Sequence, residues 1–133
     1  MVQDSYNDSP TLYLISTPIG NLEDITYRSI RILNEVDVIF SEDTRVTLNL
    51  LTHYGISKKL ISLHEHNEEI VKEKVLKFLE SGDSVALVTD RGTPIISDPG
   101  YKTVKYVSDN GFNVVALPGA TAFVPALITS GIS

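Results

Sequence analysis

A chain of 133 residues is long enough for one ordinary domain with a real core, and 42% hydrophobic with 21% charged residues is a globular balance, not a disordered one. The absence of cysteine excludes disulfides, thiolate chemistry and Cys-based metal sites, and it fits a reducing compartment. Eleven basic against seventeen acidic residues give a formal net charge of −6, which argues against non-specific binding to naked nucleic acid but leaves room for a local basic patch.

Residues 1–10 are polar and read as a flexible tail, without the basic start and apolar middle of a signal peptide. Thr11 to Thr17 is apolar and β-prone, a first strand, and Pro18-Ile19-Gly20-Asn21-Leu22 breaks the pattern. Thr26 caps a helix through Asn34, with Ile30 and Leu33 on its inner face. Val36 to Ser41 is a second strand, followed by Glu42-Asp43-Thr44-Arg45. A helix from Val46 to Tyr54 presents Leu48 and Leu51, and Gly55 stops it. Leu60 to Leu63 is a short strand leading to His64-Glu65-His66-Asn67. Asn67 caps the clearest helix, in which Val71, Val75, Phe78 and Leu79 recur at helical spacing and Glu68–Lys72 and Glu73–Lys77 are favourable pairs.

Ser81-Gly82-Asp83 ends that helix, and Ser84 to Val88 is a fourth strand. Asp98-Pro99 then reads as an N-cap and first helical residue of a helix that buries Val104 and Val107 and stops at Asn110-Gly111. Phe112 to Leu117 is a fifth strand, and Pro118-Gly119-Ala120-Thr121 turns into a last apolar helix toward Ser130. The apolar run Ala122 to Ile128 is too short to span a bilayer and contains Pro125. Alternating strands and helices predict an α/β fold: an open, mostly parallel five-stranded sheet with helices on both faces, formed by residues 11–133. The final helix is apolar nearly all round, which calls for a second domain or a partner subunit to cover it.

The stretch Thr89 to Gly100 is where function is expected. It spends about nine residues between strand end and helix cap, where a βα turn needs roughly two to six. In an open α/β sheet, ligands bind at the carboxyl ends of the strands. Asp90 follows the strand directly and has no structural duty, while Gly92 and Gly100 permit close backbone approach. The first connection, Pro18-Ile19-Gly20-Asn21, lacks both the dinucleotide-binding glycine pattern and the phosphate-binding loop, which argues against NAD and nucleoside triphosphates. Gly119-Ala120-Thr121-Ala122 offers a small-residue helix start whose amides can meet a carboxylate or an adenine edge. These loops favour a compact ligand without phosphates. S-adenosylmethionine fits that description, and other nucleosides fit it too. Glu42-Asp43-Thr44-Arg45 reads equally well as a substrate-orienting set or as a helix start favoured by the dipole. His64-x-His66 has metal-like spacing, but no third ligand is identifiable, and no metal is expected.

Taken together and in order, Leu12 through Thr26, Ser41 through Arg45, His64 through Glu68, Asp90 through Gly100 and Pro118 through Ala122 resemble the motifs of the bacterial 16S rRNA ribose 2′-O-methyltransferases, within the tetrapyrrole (corrin/porphyrin) methylase superfamily. The resemblance covers nearly all of Thr11 to Ser133. It implies S-adenosylmethionine-dependent 2′-O-methylation of a cytidine ribose in 16S rRNA of the 30S subunit, by a cytoplasmic two-domain enzyme working as a homodimer. It makes this chain the N-terminal domain, with part of the donor site elsewhere and little or no activity alone. It implies donor contacts at Ile19, Gly20, Asp90, Gly92, Thr93, Pro94, Ile96, Thr121 and Ala122. Glu42, Asp43, Arg45, His64 and Asn67 would lie toward the substrate, and Glu42, Asp43 and His64 are candidates for the general base. Where the family usually has Ala this chain has Arg91, a cation that repels a sulfonium unless it turns to solvent or pairs with an acid. Alternatives are a corrin-precursor methylase of the same superfamily and a non-catalytic nucleoside-binding or dimerisation module.

Overall fold

The structure is a computed structural model that describes residues 9–17, 22–89 and 100–117. The strands are β1 (Thr11–Ser16), β2 (Val38–Ser41), β3 (Lys59–Ser62), β4 (Val85–Thr89) and β5 (Asn113–Ala116). The helices are α1 (Tyr27–Glu35), α2 (Thr44–His53), α3 (Glu68–Glu80) and α4 (Tyr101–Asp109), with a short 3-10 turn at Leu22–Asp24. All strand pairings are parallel, in the order β3-β2-β4-β1-β5. The expected α/β architecture is therefore present. The predicted helix toward Ser130 lies outside the described residues.

The strands read as continuous apolar runs because both faces of the sheet are covered. Tyr13, Ile15, Ile39, Ala86 and Val88 point into one core layer with Ile32 and Leu33 of α1 and Leu50 and Leu51 of α2. Leu12, Leu14, Val38, Phe40, Val85 and Leu87 point the other way, against Val71, Val75 and Leu79 of α3 and Val107 of α4. From β1 the chain passes β4 to reach β2 and then β3; from β3 it returns to β4 and passes β1 to reach β5. Crossovers of one hand running in opposite directions put α1 and α2 on one face and α3 and α4 on the other. The reversal falls between β4 and β1, so the switch point of the sheet lies at their carboxyl ends.

Three local expectations are corrected by packing. Val36 ends α1 and does not open β2: it is fully buried and its N–H bonds to Ile32 O at 3.0 Å. In α2 it is Leu50 that turns inward with Leu51, while Leu48 is 56% exposed. The helix also starts earlier than Val46, because Asp43 Oδ1 accepts from the N–H groups of Arg45 (3.1 Å) and Val46 (3.2 Å) and caps it at Thr44.

The fourth helix departs most from expectation. It begins at Tyr101 with Gly100 as its N-cap, and Asp98 and Pro99 lie outside the described residues. Gly100 sits at φ +127°, a backbone conformation open to glycine, and has no side chain with which to cap. The cap comes from another helix. The buried carboxylate of Glu68, the first residue of α3, accepts from Gly100 N (3.1 Å), Thr103 N (2.9 Å) and Thr103 Oγ1 (2.9 Å). Glu68 therefore does not pair with Lys72. Lys72 bonds to Glu69 at 3.0 Å, and Lys102 of α4 reaches the same carboxylate at 3.2 Å.

Replacing Glu68 with Ala leaves those donors without their acceptor, and about 3 kcal/mol of stability is expected to be lost. Glu68→Gln keeps an acceptor oxygen and should lose less than half of that. Urea denaturation of both variants decides it, and a loss under about 0.5 kcal/mol for Glu68→Ala would contradict the assignment. Hydrogen bonds from Lys72 and Lys102 hold the Glu69 carboxyl below its ordinary range. Its contribution to stability is thus present above that range and is lost as pH falls through the lowered value. Glu69→Gln is expected to flatten slightly the acid limb of a stability–pH curve, and a steeper limb would contradict the pairing.

Candidate functional site

Five connections leave the carboxyl edge of the sheet, and the strand order decides which are neighbours. Thr17, just past β1, donates its N–H (2.8 Å) and its Oγ1 hydroxyl (3.1 Å) to Thr89 O at the end of β4. Leu117, just past β5, donates its N–H to Leu14 O of β1 at 2.9 Å. The segments that begin at Pro18, Asp90 and Pro118 are therefore rooted on three consecutive strands, β1 between β4 and β5. Each predicted donor contact falls in one of these segments: Ile19, Gly20, Asp90, Gly92, Thr93, Pro94, Ile96, Thr121 and Ala122. All of them, with Arg91, lie outside the described residues. What the structure supplies is the adjacency of their roots, at the switch point where an α/β sheet opens a ligand crevice.

The other two strands carry the polar half of the edge. Leu63 N–H bonds to Ser41 O at 2.9 Å, so the ends of β3 and β2 lie side by side. An open hollow of about 770 Å³ is walled by Glu42 to Arg45 on one side and His64 to His66 on the other. The structure thus brings together Glu42, Asp43, Arg45 and His64, with Thr44, Glu65 and His66 of the same two motifs. Both tetrapeptides follow short apolar runs, and parallel pairing of those runs places the loops together.

Hydrogen bonding sorts these side chains by what they can do. Asp43 caps α2, and its exposed carboxylate is held at the helix start. His64 Nδ1 accepts from the N–H of His66 at 3.1 Å. A neutral ring that accepts at Nδ1 carries its proton on Nε2, so the second ring nitrogen of His64 is a hydrogen-bond donor. His66 lies beside it, ring centroids 5.8 Å apart, with Nε2 at 3.6 Å from Glu65 Oε2.

Asn67 does not line the hollow but holds the histidine loop from behind. Its Oδ1 accepts from His64 N–H at 2.8 Å, and its Nδ2 donates to Ser62 O at 3.2 Å. It occupies the N-cap position of α3 without capping through its side chain, contrary to the simple reading of the motif. Among the described residues, no three His, Asp or Glu side chains come together as a metal-ligand set. Among them also, no helix is long and apolar enough to cross a membrane.

Comparisons with known proteins add the family. Residues 11–133 match the model of the Tetrapyrrole (Corrin/Porphyrin) Methylases. Similar curated proteins include the Ribosomal RNA small subunit methyltransferase I of Halalkalibacterium halodurans, 51% identical over 133 residues, and of Bacillus subtilis, 52% identical over 133 residues. Both alignments cover 98% of this chain and 46% of the relative, so the chain spans about half the length of the curated relatives it matches. Among solved structures, uroporphyrin-III-C-methyltransferase from Thermus thermophilus aligns with a TM-score of 0.68 at 21% identity, over 93% of this chain and 54% of that one. Diphthine synthase aligns with a TM-score of 0.69 at 16% identity, over 92% and 49% of the two chains. At such identities these two likenesses speak for the fold alone. A parallel sheet of order β3-β2-β4-β1-β5, with its loops gathered at one edge, is thus joined to a family match over 123 of 133 residues (11 to 133 inclusive), and the chain belongs to the tetrapyrrole (corrin/porphyrin) methylases.

Proposed function

We propose that this chain supplies the donor-side half of an S-adenosylmethionine-dependent methyltransferase that acts on the ribose 2′-hydroxyl of a cytidine in 16S rRNA, in the 30S subunit. The observation that carries this reading is the division of the carboxyl edge: three glycine- and proline-containing connections rooted on β4, β1 and β5, beside a polar hollow on β2 and β3. The names of relatives near 50% identity favour an rRNA substrate over a corrin precursor, since the tetrapyrrole enzymes are similar only at the level of fold.

The donor supplies an electrophilic methyl group on a sulfonium. What this chain's residues have to do is align the hydroxyl, take its proton and keep water away. His64, with its proton on Nε2, is a donor for a ribose or phosphate oxygen and not the base. Arg45, exposed at the rim, suits a phosphate. The Asp43 carboxylate caps α2, and we assign the role of proton acceptor to the Glu42 carboxylate, half-buried at the strand end.

Closure would come from outside the described residues. Among the described residues, the exposed large apolar side chains Tyr27, Val46, Leu48, Ile70 and Tyr101 all lie in the amino-terminal halves of their helices, which in this topology face the carboxyl edge. A second domain like that of the longer relatives, or the second copy of a cytoplasmic homodimer, would cover them.

Calorimetry with S-adenosylmethionine and S-adenosylhomocysteine is expected to show weak binding to the 133-residue chain, and methylation assays on 30S subunits to show no turnover by it. Turnover by this chain alone would refute the half-site reading. Methylation of tetrapyrroles but not of 30S subunits by a protein of the relatives' full length would favour the corrin-precursor alternative. In such a protein Glu42→Gln is expected to lower kcat by roughly 10²- to 10⁴-fold with little change in KM. His64→Gln should act mainly on KM. A kcat loss for His64→Gln as large as that for Glu42→Gln would reverse the two roles.

A further inference from the structure

A second hollow lies at the other end of the edge strand, and the methylation chemistry above does not use it. It encloses about 500 Å³ between β3 and the carboxyl-terminal half of α3. Its floor is Ile61 and Phe78, and Lys59, Lys74 and Lys77 stand around it, with Ser81 and Asp83 at the rim. Phe78 packs edge-on against the buried Phe40, centroids 6.0 Å apart, so its ring is fixed from behind, and Lys59 Nζ lies 5.7 Å from its centroid.

Three lysines gather on this one hollow. Among the other described cations, Lys72 and Lys102 pair with Glu69, Lys105 with Asp109 at 3.2 Å and Arg31 with Glu35 at 3.4 Å, while Arg28, Arg45 and Lys58 form no ion pair. Among the described residues, Lys59, Lys74 and Lys77 form no ion pair. Asp83 offsets one of the three charges at most. Lysine on an edge strand guards against strand addition, and that explains Lys59. It does not explain Lys74 and Lys77, which come from a helix and turn toward the same apolar floor.

From this we infer that the hollow holds single-stranded RNA, phosphates on Lys59, Lys74 and Lys77 and a base against Phe78 and Ile61. The identity of the polyanion as RNA rests on the rRNA reading above. A cationic rim over an aromatic floor is the pairing that single strands use, since every base has a face to stack and every nucleotide a phosphate. The position fits as well. Both hollows border β3, one at each end, and Lys59 to Ser62 spans only about 10 Å at roughly 3.3 Å per residue. A strand whose target ribose sits in the His64 hollow would run along the β3 edge onto the lysines. On a chain of net charge −6, three lysines around one hollow form a local positive patch that a phosphate backbone can neutralise.

The test is fluorescence anisotropy of a labelled single-stranded RNA oligonucleotide with the 133-residue chain across a salt series. The expected slope of log K against log salt is about −2, from roughly −0.7 per phosphate contact. The triple variant Lys59→Gln/Lys74→Gln/Lys77→Gln should bind at least about tenfold more weakly at low salt and lose most of that slope. Lys102→Gln/Lys105→Gln, equally exposed but paired elsewhere, should change neither. Duplex RNA of equal charge should bind less tightly than the single strand. No binding by the parent chain, an unchanged triple variant, or equal binding of duplex would each overturn the proposal. Circular dichroism confirms that the variants fold. Because the readout is RNA binding, a failure of donor binding would count against the methyltransferase reading while leaving this one standing, and the converse also holds.

Discussion

The carboxylate of Glu68 is the interaction on which the geometry of this domain depends. It opens α3 and closes the amino end of α4, satisfying backbone donors that a helix start otherwise leaves to solvent. Its position in sequence gives it reach. It directly follows the histidine loop held by Asn67, and it ends the connection that begins at Asp90. That connection is thus anchored at both ends: Thr89 accepts two hydrogen bonds from Thr17 of the neighbouring strand, and Gly100 is held by Glu68. Through one side chain the histidine loop and the far end of the β4 connection are tied together.

Most of the architecture was legible because it follows from composition along the chain. Apolar runs four to six residues long, set between helical periodicities, leave little choice but a covered parallel sheet. Thr26 was legible as a cap because its hydroxyl acts on Ser29 N, three residues away (3.1 Å). Asn67 and Glu68 were not, because their bonds go elsewhere. The Asn67 amide turns back to Ser62 and His64, and Glu68 reaches across to Gly100 and Thr103. A local rule prefers the nearest partner, which is why Asp98 looked like the cap of α4 and Lys72 the partner of Glu68. Leu48 and Leu50 show the same limit in packing. Both fit an apolar pattern, and only the position of the sheet decides that Leu50 turns inward.

The candidate site divides similarly. That Glu42 through Arg45 and His64 through His66 face one another needed only the parallel pairing of β2 with β3. That His64 offers a proton and Asp43 serves as a cap needed individual hydrogen bonds, since residue type alone allows both to be bases. The ring nitrogen facing a substrate is set by what the other nitrogen does, here acceptance from the N–H of His66 at 3.1 Å.

Among the described residues, the hollow on this edge is open. In-line transfer to a ribose hydroxyl demands alignment and a dry site, and the two demands fall on different parts of the molecule. Alignment can come from a rigid sheet, whose strand ends fix where each loop starts. Dryness cannot, because Asp43, Arg45, Glu65 and His66 all stand exposed on the walls of the hollow. The apolar side chains gathered at the same end, Tyr27 at 88% exposure and Ile70 at 72%, are out of place on a finished surface and suited to a buried one. Under the proposed function, a sheet edge with a polar hollow and exposed apolar side chains at the same end would suit closure by a second domain or a second copy. On the same reading, that separation would let one half hold the reacting groups in register while the other admits a substrate as large as RNA and then shuts out water.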